Sequence, residues 1–146
     1  MIQTGVVWQG HAIAAAAGAK YDPALCQVVA NVSETVLLGG AIYEEFTGKS
    51  VKMHTAGFVP RWVTRDLLWC CFHYPFEQLG VTKVIGIVNS SNLKALAFDR
   101  HLGFKEEAVI SDVYPDGNAI VMGMYRQDCR WLSIKTSLTR GHDGQE

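Results

Sequence analysis

The order of hydrophobic and polar residues is most regular between residues 81 and 104. This segment opens with an apolar run rich in β-branched residues, continues with a polar break at residues 89–92, and then carries apolar residues at helical spacing up to Gly103. A short apolar run bounded by turn residues predicts a buried strand, and apolar residues three and four apart predict an amphipathic helix. The segment is therefore predicted to be a strand, a turn and a helix.

The chain before this segment alternates between helix and strand patterns in the same way. Asp22-Pro23 predicts a break followed by a short helix. Gly39 and Gly40 lie inside a predicted strand, where glycine indicates a bulge or the close approach of another backbone or a ligand. The predicted elements are a strand at 2–8, a helix at 9–20, and three antiparallel strands at 26–32, 36–46 and 51–58.

A second helical pattern spans residues 62–80 and ends at Gly80, a good terminator. Its interior contains Pro75, which removes the hydrogen bond to the Cys71 carbonyl. We therefore expect a kink in this helix.

Two further strands are predicted at 105–114 and 119–126, joined by a Pro-Asp-Gly-Asn turn that is a strong hairpin signal. The helical crossover makes the strands at 51–58 and 81–88 parallel neighbours. The fold class is thus α/β, more narrowly α+β: a mixed, mostly antiparallel sheet with one central parallel pair and helices on both faces.

Composition fits one domain with a sizeable core, because the chain has 146 residues of which 49% are hydrophobic. We expect this domain to span residues 1–132, followed by a polar tail at 133–146 that frays. A formal net charge of −1 provides no field for nucleic acid or an anionic membrane. Without a basic leader or a bilayer-length apolar run, and with four cysteines interpreted as reduced thiols, the expected location is cytoplasmic.

The element order resembles that of the GNAT superfamily of N-acyltransferases. The best local match is Asn92, Ala95 and the Leu-Gly-Phe ending at 102–104, and the helix end at 74–80 is similar to the family's central helix. The resemblance implies an acetyl-CoA-dependent N-acyltransferase with a splayed parallel strand pair. It also implies an acceptor that is a small-molecule or protein amine, and it allows a homodimer. The short N-terminal part resembles members encoded by phages.

In this family the pantetheine arm lies along the strand before the central helix and the pyrophosphate lies on N–H groups at the helix start. The residues at these positions, and those bordering the cofactor from the opposite side, are Ala56, Gly57, Phe58, Arg61, Trp62, Val63, Thr64, Arg65, Asn92 and Phe98.

Two departures from the family pattern bear on function. Trp62 and Thr64 occupy the positions of the phosphate-loop glycines. Arg61 and Arg65 would then supply the charge that holds the phosphate, or else they are solvated cations at the helix start. Asp99 stands where many members place a tyrosine acid, and an exposed aspartate is a poor proton donor at neutral pH. The alternative is therefore a catalytically inactive GNAT-like binding or assembly module.

The general base is expected at His54 or at the carboxylates Glu44 and Glu45, with His54 and Glu45 as the catalytic candidates. A strand histidine exposed on the sheet and a charged hairpin end are the competing interpretations. The sequence does not decide whether the general acid is Tyr74, Tyr125 or solvent. No spacing of His, Cys and carboxylates predicts a metal site.

Overall fold

The computed structural model describes residues 1–139, which form a seven-stranded sheet with helices on both faces. The strands are β1 (Ile2–Thr4), β2 (Gln27–Ser33), β3 (Val36–Glu44), β4 (Ser50–Gly57), β5 (Lys83–Asn89), β6 (Lys105–Tyr114) and β7 (Gly117–Tyr125). The helices are α1 (Val7–Ala17), α2 (Arg65–His73) and α3 (Leu93–Leu102). Within residues 1–139, no helix has the length and apolar character needed to cross a membrane.

The strand order is β1-β2-β3-β4-β5-β7-β6. All neighbours are antiparallel except β4 and β5, which are parallel and connected through α2. The predicted fold class and its one parallel pair are confirmed. The segment around Asp22 is a correction, because Asp22 accepts a hydrogen bond from Ala24 N at 2.9 Å in a turn rather than starting a helix.

Each face of the sheet has its own core, because successive strand residues point to opposite faces. On one face, Ile13 of α1 packs against a small cluster that includes Val28 and Ile42. On the other face, Phe72 of α2 and Leu96 of α3 belong to the larger core. The gap between β4 and β5 is thus bordered by α1 on one side and by α2 and α3 on the other.

The central helix changes its geometry at the proline. After His73 it continues as a π-helix, Tyr74–Leu79, and it ends at Gly80 with φ 73°. Pro75 cannot donate to the Cys71 carbonyl. The buried Tyr43 hydroxyl donates to that carbonyl at 2.5 Å instead. The loss of a backbone hydrogen bond predicted at Pro75 is thus accompanied by a switch of helix type.

The C-terminal segment contacts the rest of the domain as far as it is described. Thr136 is buried, and Ser137 donates hydrogen bonds from its backbone N–H and its hydroxyl to the Asp66 carboxylate at the start of α2. These hydrogen bonds connect the first part of the predicted tail, residues 133–139, to α2. The rest of the predicted tail, residues 140–146, lies outside the described residues.

Candidate active site

The parallel strands β4 and β5 separate towards their C-terminal ends. Their pairing runs from Ser50 with Lys83 to Lys52 with Ile85 and does not continue beyond. A cavity of about 570 Å³ opens between the separated ends. This volume lies in the range of small-molecule sites. Side chains that line it include His54, Asn89, Asn92, Phe98, Asp99 and Tyr114.

The backbone of β4 presents hydrogen-bonding groups to this gap. Phe58 N donates to Leu38 O of β3 at 2.9 Å. Because bonding alternates along an antiparallel pair, Ala56 also bonds towards β3, whereas Thr55 and Gly57 turn their N–H and C=O groups towards the gap. Of the three residues predicted to lie along pantetheine, Gly57 therefore offers its backbone and Ala56 offers its side chain to the cavity.

His54 is held by a carboxylate. Its Nε2 lies 2.8 Å from Glu44 Oε1, and Lys52 Nζ lies 3.6 Å from the same oxygen. The two partners are mostly buried, with 14% and 20% of their side-chain surface exposed. The structure gives this place to Glu44 rather than Glu45, because Glu45 turns away in a left-handed conformation (φ 56°) and is exposed. His54 and Glu44 can act as a base and the group that orients it.

Asp99 borders the cavity from the opposite side. It lies on α3, and a Cβ placed on Gly86 of β5 would lie 3.5 Å from Asp99 Oδ2. The side chain is largely buried, and the resulting desolvation raises the pKa of its carboxyl to about 6. The expectation of an exposed Asp99 with an ordinary carboxyl is therefore wrong. A carboxyl with a pKa near 6 retains a protonated fraction near neutral pH.

The two tyrosines considered as acids lie elsewhere. Tyr74 packs edge-on against Tyr43 with ring centroids 5.0 Å apart, and burial raises the pKa of Tyr74. The ring of Tyr125 lies 5.0 Å from Lys83 Nζ at the far end of β7. Neither is among the cavity-lining residues, whereas Tyr114 at the end of β6 is. The sequence pattern did not single out Tyr114.

The turn before α2 carries the predicted positive charge. Arg61 is exposed and has φ 64°, and Arg65 Nη1 donates to Lys135 O at 3.3 Å. Thr64 caps the helix, since its hydroxyl accepts from Leu67 N at 3.1 Å. The Asp66 carboxylate adds negative charge beside these groups, which weakens an anion site.

Trp62 lies over the sheet rather than in solvent. A Cβ on Gly57 would overlap its indole, and a Cβ on Gly39 would lie 2.5 Å from its Cε3. The Trp62 carbonyl accepts from Asn31 Nδ2 at 2.9 Å. The indole centroid lies 5.6 Å from the ring of Phe98 on α3. At Gly39, where another backbone or a ligand is predicted to approach closely, the nearest atoms belong to the Trp62 indole and the Ala56 carbonyl oxygen follows at 2.8 Å.

Solved acetyltransferases share this architecture. A mutant of the spermidine N-acetyltransferase SpeG from Vibrio cholerae matches with a TM-score of 0.61 at 18% identity, over 75% of this chain and 69% of that one. A GNAT family acetyltransferase from Bacillus anthracis matches with a TM-score of 0.56 at 12% identity, over 70% and 66%. The N-acetyltransferase PseH from Campylobacter jejuni matches with a TM-score of 0.53 at 19% identity, over 69% and 68%.

The chain has the GNAT acetyltransferase fold. The match spans 62–69% of the length of these structures and of a further acetyltransferase. The sequence itself matches no protein-family model and no curated protein. The predicted GNAT resemblance is thus confirmed for the fold, and the bacterial proteins named here give no support to a phage origin.

Acyl-CoA is the co-substrate that the GNAT fold implies, and the site fits it in part. The splayed β4 edge suits the pantetheine arm, and Asn92 and Phe98 line the cavity on the other side. Asn92 also has a structural role, because its Oδ1 accepts from Ala95 N at 3.1 Å and caps α3. Val63 packs among apolar side chains between α2 and β4. The indole of Trp62 covers part of the β4 edge at Gly57.

Proposed function

We propose that the chain is an acyl-CoA-dependent N-acyltransferase that acetylates a primary amine. One observation carries the proposal: the gap between β4 and β5 opens a cavity that has the His54–Glu44 pair on one side and Asp99 on the other. A base and an acid facing each other across a cleft suit the transfer of an acyl group from a thiol to an amine.

Each group has a role in that transfer. When bound, the thioester would supply the activated acyl group. His54 would accept the proton that the amine releases as the new C–N bond forms, while Glu44 keeps the imidazole oriented. Gap-facing N–H groups at Thr55 and Gly57 would polarise the carbonyl. Asp99 would return a proton to the sulfur as the C–S bond breaks. The pKa of about 6 raises the fraction of Asp99 able to do so.

The acceptor class is an amine, as in the spermidine N-acetyltransferase that shares the fold. Between β1 and β2 the element order has α1 (Val7–Ala17) as its helix, and on this basis we expect the acceptor to be a large substrate such as a protein amine. Acetyl transfer to peptides carrying lysine or a free N-terminus is therefore expected alongside transfer to polyamines. Transfer to small amines alone would refute the protein acceptor.

Isothermal titration with acetyl-CoA and CoA, combined with thiol release in the presence of an amine panel, tests the activity. We expect saturable heat, amine-dependent thiol release, and a loss of about a hundredfold in kcat for His54→Ala. His11→Ala is the matched control, since His11 is an exposed histidine outside the cavity lining. No heat at millimolar cofactor would overturn the proposal.

A second candidate, a GNAT-like binding module without catalysis, is favoured by the indole of Trp62 over Gly57. The hydrogen bonds from Ser137 to Asp66 also favour it, because they bring the C-terminal segment to the start of α2, where the pyrophosphate would lie. The same titration separates the candidates. A module would give no cofactor heat in the wild type and none when Trp62 is replaced by alanine.

A further inference from the structure

The indole of Trp62 occupies a built site, which we call the tryptophan seat: Asn31, Gly39, Gly57 and Phe98. Asn31, Gly39 and Gly57 are register partners on β2, β3 and β4, so they form one row across the sheet on one face. The buried Asn31 side chain holds the Trp62 carbonyl, and Phe98 of α3 contacts the indole from the far side.

Contact with the indole is by itself enough to explain the glycine at Gly57. The three atoms nearest to a Cβ on Gly57 all belong to the Trp62 ring. At Gly39 a Cβ would meet both the ring and the Ala56 carbonyl, the latter at 2.8 Å. Glycine weakens a strand interior, so its presence in both strands indicates a requirement for space. At Gly57 that space is taken by a side chain, which can move.

The seat lies across the route along β4. Gly57 directs backbone groups into the gap, and the indole covers this residue and reaches α3 at Phe98. An arm that lies along the last residues of β4 and passes between β4 and α3 meets the ring. The main chain at Trp62 is fixed through Asn31, whereas its side chain is partly exposed.

We propose that Trp62 is a gate that determines affinity for acyl-CoA: the indole must leave the tryptophan seat before the arm can lie along β4. The inference rests on the proposed function. Its consequence is quantitative, because binding to a fraction of open molecules weakens the apparent affinity by that fraction. If the closed form dominates by about tenfold, removing the indole tightens CoA binding by about tenfold.

The first test needs no ligand. In Gly57→Ala the new Cβ overlaps the ring, so the indole should be displaced and become more accessible to acrylamide. In protein labelled with 5-fluorotryptophan, the fluorine NMR signal of Trp62 is the one that is absent from Trp62→Phe. This signal should shift in Gly57→Ala, whereas the Trp69 signal should not. In a Trp62→Ala background, Gly57→Ala should leave stability nearly unchanged. An unchanged Trp62 signal in a folded Gly57→Ala variant would overturn the gate.

The second test measures CoA binding by titration for the wild type, Trp62→Ala and the control Trp69→Ala, whose ring stacks on His73. We expect tighter binding for Trp62→Ala only, and a shift of the Trp62 fluorine signal when CoA saturates the wild type. Equal affinities, or saturation without a signal shift, refute the gate and leave the acyltransferase intact. No heat from either the wild type or Trp62→Ala overturns the proposed function and the gate together.

Discussion

Replacing Asp99 by asparagine removes the ionisable group from this position in the cleft. Asparagine has nearly the same shape, so the contact with Gly86 on β5 is kept. Burial raises the pKa of Asp99 from 3.8 to about 6, so the folded protein binds this proton more tightly than the unfolded chain does. The wild type therefore loses stability as the pH rises through the interval between these two values. Asp99→Asn lacks this loss.

The size of the effect follows from the same shift. A rise of about two pKa units, at about 1.36 kcal/mol per unit, corresponds to about 3 kcal/mol of unfolding free energy. We expect the wild type and Asp99→Asn to be similar near pH 4. The unfolding free energy of the variant should rise relative to that of the wild type up to about pH 6. Above that pH the difference should stay at about 3 kcal/mol.

Urea unfolding at a series of pH values measures this difference directly. Glu106→Gln is the control, because Glu106 is an exposed carboxylate on β6. The unfolding free energy of this variant should depend on pH in the same way as that of the wild type. Parallel curves for the wild type and Asp99→Asn would refute the burial argument. If Asp99 is also the acid, the variant should be more stable and slower in acetyl transfer at neutral pH, a combination that simple misfolding does not produce.

Three further changes test other parts of the structure. Tyr43→Phe leaves the Cys71 carbonyl opposite Pro75 without its donor, which should lower the unfolding free energy by about 1–3 kcal/mol in urea, with Tyr125→Phe as control. Thr64→Ala removes the cap of α2 and should cost about 1 kcal/mol in the same assay. Glu44→Gln should lower kcat less than His54→Ala does, and the double variant should match His54→Ala alone, because Glu44 acts through His54; additive losses would contradict that.

The strands were predictable because their β-branched runs and turn residues are local signals. The first helix shows where such signals end. The sequence pattern extended the first strand to residue 8, whereas α1 begins at Val7 behind Val6, which makes no side-chain cap. Without a capping residue, the apolar side chains of Val7 and Trp8 continue a strand pattern. Packing of α1 on the sheet, rather than local sequence, decides this boundary.

The site was predictable only where one strand determines it. His54 follows from its position on β4, and strand alternation places Glu44 on the same face, because Glu44 is the register partner of Lys52. The neighbouring Glu45 cannot be separated from it without the backbone conformation. The burial of Asp99 depends on β5, and the position of the Trp62 indole depends on the register of three strands. Neither is contained in any local spacing.

The departures from the GNAT pattern are matched by glycines at other positions. The loop before α2 has Trp62 and Thr64 where the family has glycines, while the strands have glycines where the sheet meets the new side chains. Gly57 on β4 and Gly39 on β3 make room for the Trp62 indole. A loop that had only lost its glycines would not require complementary space on separate strands. Because the indole has a fitted contact surface on two strands, Trp62 is built into this fold and is not a remnant of a lost phosphate loop.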